Sequence, residues 1–156
     1  MIKAILSDFS YVLLFPKDKD VSGSINKFHE ANKDSTGYEV FNYFSLNQEL
    51  LEYFTTIKDT YPLYIFTTGA IQNVPEIRSM LDNVFTTIFS ARELGVTKDD
   101  DRVYEMIAEK IGVLPEEILF IDDTEKNIDA AKNAGLQTIR FVSNTELFTE
   151  IKKILQ

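Results

Sequence analysis

Four short stretches of this chain carry side chains that could work together on an anion. An apolar run at 1–7 ends in Asp8, followed by Phe9-Ser10-Tyr11. A second run, at 118–121, ends in Asp122-Asp123 and continues Thr124-Glu125-Lys126-Asn127. Between them, the run at 63–66 ends in Thr67-Thr68-Gly69, and Lys98 stands alone in a polar segment. Such types offer carboxylates for a hard cation, a hydroxyl and an ammonium for an anion, and a carboxylate free to attack. Each also has a plainer use. A strand-end aspartate can make a turn, a pair can cap the next helix, and a lone lysine is usually solvated. Capping alone leaves unexplained why two adjacent carboxylates, which repel each other, close an apolar strand. His29, the single histidine, sits in a segment of mixed polarity and is given no catalytic role.

These residues can meet only if the runs are neighbouring strands. Residues 2–7, 63–66, 86–89, 118–121 and 137–142 read as short strands, and a further extended piece at 12–15 is stopped by Pro16. Helical patterns alternate with them. Asn47 caps a helix carrying Leu50, Leu51, Phe54 and Ile57, and Pro75 opens one with Ile77, Met80 and Leu81. Asp101 is the expected cap of a helix that ends at Gly112; 125–134 is helical up to Gly135; Asn144 or Thr145 starts the last helix. Alternation of this kind predicts right-handed βαβ units in a mainly parallel sheet of about five strands with helices on both faces, an α/β Rossmann-like three-layer sandwich. Ligands of such sheets bind in the crevice at the carboxyl ends of the strands, which is where the three runs ending in Asp8, Thr67-Thr68-Gly69 and Asp122-Asp123 would meet. Residues 17–48 interrupt the pattern with scattered aromatics and one or two short helices; those aromatics are expected to cover the core.

Composition narrows the function. The chain has 156 residues, 44% hydrophobic and 26% charged, enough for one domain with its own core. It has no cysteine, so neither disulfides nor thiolate metal sites arise. A net charge of −9 with no basic face argues against nucleic acid and anionic membrane surfaces as partners. No apolar run is long enough to span a bilayer and no leader pattern is seen, so a cytoplasmic location is expected.

The order Asp8, Thr67, Lys98, Asp122-Asp123 resembles the motif order of the haloacid dehalogenase (HAD) superfamily of hydrolases. Phe89-Ser-Ala-Arg-Glu-Leu-Gly95-Val-Thr-Lys98 is similar to its third motif, and the stretch from Ile111 through Asp122-Asp123 to Gly135 to its fourth. The resemblance covers 1–16 and 60–142, and implies one HAD-like core domain over 1–156 with a short cap-like insert at 17–48. It implies a phosphomonoester hydrolase with Asp8 as the nucleophile that becomes a phosphoaspartate. Mg2+ would be held by Asp8, the Ser10 carbonyl and Asp123, with Asp122 and Asn127 in or near the shell. Thr67 and the amides of Thr68 and Gly69 would hold phosphoryl oxygens, and Lys98 would neutralise remaining charge. The substrate would be a phosphorylated small molecule or a phosphoryl group exposed on a larger one.

Three departures matter. Many family phosphatases have an acid/base aspartate where this chain has Ser10, and a glycine where it has Tyr11. Loss of a positioned general acid costs about 10²–10⁴ in rate. That keeps two alternatives open: a catalytically weak module binding phosphate and metal, and a halide-releasing hydrolase. Lys98 is followed by Asp99-Asp100-Asp101 in place of a proline-bearing loop, which predicts a looser loop with acids competing for Lys98. The short insert predicts an open cleft, with room for a large substrate or for a covering partner chain in an oligomer.

Overall fold

Strands buried on both faces need apolar side chains throughout, and the central strand of this protein has them. In the computed structural model, which describes residues 1–18, 21 and 23–156, β1 (Ala4–Ser7) is buried at every position. The chain continues through β2 (Leu14–Pro16), α1 (Ile25–Asn32), α2 (Val40–Tyr43), β3 (Phe44–Leu46) and α3 (Gln48–Ile57). Then come β4 (Leu63–Thr67), a 3-10 turn at Ile71–Asn73, α4 (Pro75–Leu81), β5 (Thr87–Ser90), α5 (Ala91–Leu94) and α6 (Asp101–Ile111). A second 3-10 turn at Pro115–Glu117 leads to β6 (Ile118–Asp122), α7 (Glu125–Asn133), β7 (Gln137–Arg140) and α8 (Asn144–Leu155). Residues 19, 20 and 22 of the expected insert lie outside the described residues.

Five strands form one parallel sheet in the order β5-β4-β1-β6-β7. Alternation divides their side chains between two cores. Ile5, Ile65, Leu119 and Ile121 face a layer built from α3, α4, α8 and the insert (Leu50, Phe54, Ile77, Leu147). Leu6, Phe66, Ile118 and Phe120 face α6 and α7 (Val103, Tyr104, Ile107, Ile128, Ala131). This is the expected three-layer α/β sandwich. Chain direction across the sheet reverses at β1, which lies between β4 and β6, so the crevice falls where Asp8, Thr67 and Asp122 end their strands. No helix among the described residues is long and apolar enough to cross a membrane.

Local differences from the expected elements have identifiable causes. The piece expected at 12–15 is an antiparallel strand partner: β2 pairs with β3 from the far end of the insert. The cap of α6 lies one residue earlier than read, while α8 starts at Asn144 as read and is capped by Ser143. Asp100 accepts from the Arg102 amide, and Ser143 from the Glu146 amide, because their extended backbones put the side-chain oxygen over the first turn. Insert aromatics Phe28, Tyr38 and Phe41 pack against the core, and Phe44 lies fully inside it.

Asn47 ties three parts together. Its Oδ1 accepts from the Leu50 amide and caps α3, while its Nδ2 donates to the Val12 carbonyl at 3.0 Å and to Asn144 Oδ1 at 2.8 Å. Asn47→Ala removes a cap and two interior hydrogen bonds, and is expected to cost about 2 kcal/mol in urea unfolding.

Candidate active site

The backbone at the end of β1 fixes the first carboxylate. The Asp8 amide donates to the Ile121 carbonyl at 2.8 Å, continuing the β1–β6 ladder past the strand. Asp8 Oδ1 then accepts from the Phe9 amide and from Lys98 Nζ, each at 2.7 Å. Its other oxygen accepts from no donor among the described residues. Asp122, at the end of the neighbouring strand, is completely buried. Its Oδ1 accepts from the Thr124 amide at 2.8 Å; its Oδ2 accepts from Asn127 Nδ2 at 3.0 Å and Lys98 Nζ at 2.7 Å. Asp123 is half-buried; its carboxylate takes a long 3.5 Å contact from the Thr124 hydroxyl and lies within hydrogen-bond reach of the Asp8 carboxyl, while its carbonyl accepts from Arg140 Nε at 3.3 Å. Oxygens of the three carboxylates lie within 4.8 Å of one another.

Lys98 is 5% exposed, which places its ammonium inside the protein. Its Nζ sits 5.2 Å from the centroid of Phe66 and 5.7 Å from that of Phe120, near enough to both rings for cation–π attraction. Buried Tyr104 donates its hydroxyl to the Lys98 carbonyl at 2.6 Å and clamps the loop. The expected competition from the following acids is not found. Asp100 is engaged by Arg102 in two bonds of 3.0 and 2.7 Å, and Asp99 and Asp101 face outward. The loop that lacks prolines is held by Tyr104 instead.

Charge follows from this packing. Burial raises the Asp8 carboxyl from 3.8 to about 7; Lys98 opposes the rise and Asp122 adds to it. Burial and the Asp122 charge also raise Asp123. Burial works against the Lys98 ammonium, but Asp8 and Asp122 outweigh it and hold its pKa above that of an ordinary lysine.

Thr67 closes β4 fully buried, with no partner for its hydroxyl among the described residues. The next turn is pinned from behind: the Gly69 carbonyl accepts from Gln72 Nε2 and from Ser90 Oγ, both at 2.8 Å, and the Thr68 carbonyl accepts from the Arg92 amide at 3.1 Å. With its carbonyls drawn inward, this turn can offer amides to the crevice. Ser10 lines the same space, and its buried hydroxyl has no partner among the described residues. Tyr11 takes the left-handed conformation (φ 62°) that a glycine would take easily, held by its hydroxyl on the Gly23 carbonyl at 2.7 Å.

The cavity above these groups measures about 650 Å³ and includes Asp8, Ser10, Thr68, Gly69, Asp123 and Asn127 in its wall. α1 supplies another side through Ile25, Asn26, Lys27 and Glu30, so the insert walls the cleft and does not merely leave it open. Glu30 anchors that wall to the core through Arg92 at 3.1 Å. His29 points elsewhere: it is buried, with Nδ1 3.0 Å from the Tyr38 hydroxyl. Gln72, Ser90 and Tyr104 carried no signal beyond an ordinary polar residue in a helix or turn, and Asn26 none beyond its place in the insert.

The sequence model of the haloacid dehalogenase-like hydrolase family matches residues 18–135. The chain belongs to this family. Enolase-phosphatase E1 of Aquifex aeolicus is 36% identical over 86 residues, covering 52% of this chain and 38% of that protein. An (S)-2-haloacid dehalogenase 4A of Burkholderia cepacia is 32% identical over 62 residues, 40% of this chain and 27% of the relative. The chain thus spans well under half the length of these curated relatives. Among solved structures, a HAD family enzyme of Bacteroides thetaiotaomicron in complex with magnesium and inorganic phosphate aligns with TM-score 0.69 at 17% identity, over 95% of this chain and 100% of that one. A predicted HAD-like family hydrolase of Porphyromonas gingivalis aligns with TM-score 0.71 at 19% identity, over 100% of this chain and 98% of that one. These structural likenesses show the shared fold.

The buried charges make two predictions. An acid whose pKa is higher in the folded chain binds its proton more tightly there. The contribution of Asp8 to stability is therefore complete below about pH 4 and is lost as pH rises to about 7. In metal-free protein, Asp8→Asn should gain stability over wild type as pH rises through that window, reaching a few kcal/mol at pH 8 by urea unfolding. Lys98→Met should do the opposite, losing about 3–5 kcal/mol at pH 8 because two buried carboxylates lose their partner, and less at pH 5.

Proposed function

We propose that this chain is a magnesium-dependent phosphomonoester hydrolase in which Asp8 attacks phosphorus. The observation that carries the reading is the asymmetry of the acidic cluster. Asp122 has both oxygens committed to protein donors, whereas Asp123 and one oxygen of Asp8 face the cavity uncommitted. Three carboxylates against one buried ammonium leave excess negative charge, and uncommitted carboxylate oxygens suit a hard divalent cation. The donor set therefore fits Mg2+, with Asp8, Asp123 and the Ser10 carbonyl as its holders; Asp122 would act chiefly through Lys98. Bound there, the cation would offset the repulsion between an anionic nucleophile and a phosphoryl dianion.

The chain's own groups would do the rest. The free Asp8 oxygen attacks phosphorus, the ester P–O bond breaks, and its electron pair leaves with the alcohol oxygen. Water then attacks the phosphoaspartate, releasing inorganic phosphate and restoring Asp8. Lys98 orients Asp8 and favours its ionised form against the effect of burial. The buried Thr67 hydroxyl and the Thr68 and Gly69 amides would hold the non-bridging oxygens.

Ser10 limits which esters react well. Its hydroxyl is no acid at neutral pH, so leaving groups that depart as stable anions, such as aryl or acyl phosphates, should be favoured. The same residue supports the second reading, a weak module that binds metal and phosphate. A halide-releasing role fits less well, since such chemistry has no use for the surplus carboxylates.

Turnover of a chromogenic aryl phosphate separates these readings. We expect Mg2+-dependent release in wild type, its loss in Asp8→Asn, and a gain of about 10²-fold on alkyl phosphates in Ser10→Asp. Metal binding without turnover in any variant would favour the binding module.

A further inference from the structure

The chain carries a net charge of −9, yet cations collect at the mouth of its cavity. Besides Asp8 and Asp123, the charged side chains in the wall are Arg92 from α5 and Lys27 and Glu30 from α1. Glu30 divides its carboxylate between two partners: Oε1 accepts from Arg92 at 3.1 Å, and Oε2 pairs with Lys33 at 2.9 Å. Arg92 uses one N–H group in that bond. Its other guanidinium donors and the Lys27 ammonium meet no acceptor among the described residues. Both side chains are exposed, so a molecule in the cavity can reach them. Each is also tied to the turn that follows β4. The Arg92 amide donates to the Thr68 carbonyl at 3.1 Å, and Asn26, next to Lys27, packs against Gly69.

We propose that Arg92, aided by Lys27, binds a second anionic group carried on the organic part of the ester. The site would then prefer phosphomonoesters bearing a carboxylate or a further phosphate to those with a neutral skeleton. The inference rests on the phosphatase reading for where the reacting phosphoryl group lies. A cavity of about 650 Å³ has room for a skeleton beside that group. The ammonium of the floor, Lys98, is already held by Asp8 and Asp122, so the cations with open donors are those of the mouth. A guanidinium presents a planar fork that takes two oxygens of a carboxylate or phosphate at once. Its bond to Glu30 is a single exposed ion pair, weak in water, and leaves the rest of the fork open.

The test compares three esters as competitors of aryl phosphate hydrolysis at fixed free Mg2+. Glycerol 3-phosphate ends in a hydroxymethyl group, where 3-phosphoglycerate has a carboxylate and glycerol 1,3-bisphosphate a second phosphate. In wild type, at least one of the two doubly anionic esters should compete about fivefold or more better than glycerol 3-phosphate, and the better one tells carboxylate from phosphate. Arg92→Ala should remove most of that preference, and Arg92→Lys should restore part of it. Glu30→Gln, which breaks the bond to α1 but leaves the guanidinium, should keep it. Equal competition by all three in wild type overturns the proposal. So does a preference that survives Arg92→Ala because every ester and inorganic phosphate weaken alike, which would put the guanidinium on the reacting phosphoryl group. So does Glu30→Gln losing the preference as fully as Arg92→Ala, which would leave Arg92 only the task of holding α1. If the aryl phosphate is not turned over, the phosphatase reading fails by itself. Calorimetric titration of the three esters into the magnesium-loaded protein then decides the preference, and equal or absent binding overturns it.

Discussion

A single buried ammonium holds the site in shape. Asp8 and Asp122 end neighbouring strands, so the sheet forces their carboxylates together in a place that excludes water. Lys98 makes that arrangement tolerable by bonding one oxygen of each at 2.7 Å. Much of the second core layer serves this bond: Phe66 and Phe120 flank the ammonium, and Tyr104 fixes the backbone that delivers it. The compensation is incomplete, since Asp123 joins the cluster without a cation of its own. Burial, with the Asp122 charge adding to it, keeps the Asp8 carboxyl raised even beside Lys98. Stability alone would favour fewer acids here, and conflict between folding and local charge is typical of functional sites.

The other half of the cavity comes from outside the sheet. The turn after Asp8 runs through left-handed Tyr11 into β2, which pairs with β3 and so folds the insert back over the crevice. Asn47 locks the far end of that excursion to the Val12 carbonyl and to α8. α1 is thereby set with Asn26 on Gly69 and with Glu30 on Arg92. A short segment thus shapes the mouth of the site without forming a large cap.

Much of the floor of the cavity was legible because it depends on strand ends. A short apolar run fixes where a parallel strand stops, and Asp8, Thr67 and Asp122-Asp123 stand at those stops whatever the details of packing. Lys98 was legible through its motif, but not its use: sequence suggested a charge for phosphate, while the structure turns it toward two carboxylates. Contacts between distant segments could not be read. Nothing in the sequence pairs Asn26 with Gly69, or Tyr104 with the Lys98 carbonyl, because both depend on how layers approach across many intervening residues. The cap of α6, Asp100, was missed by one residue, since several adjacent polar residues can each serve and the local backbone decides.

The account stands most directly on a cation being held by the uncommitted oxygens of Asp8 and Asp123. Calorimetric titration of Mg2+ in buffers of different ionisation enthalpy measures both the affinity and the protons released. Binding should release a proton near pH 6 and little at pH 8, and should be lost in Asp123→Asn. Absence of binding to wild type, or equal binding by Asp123→Asn, would contradict it.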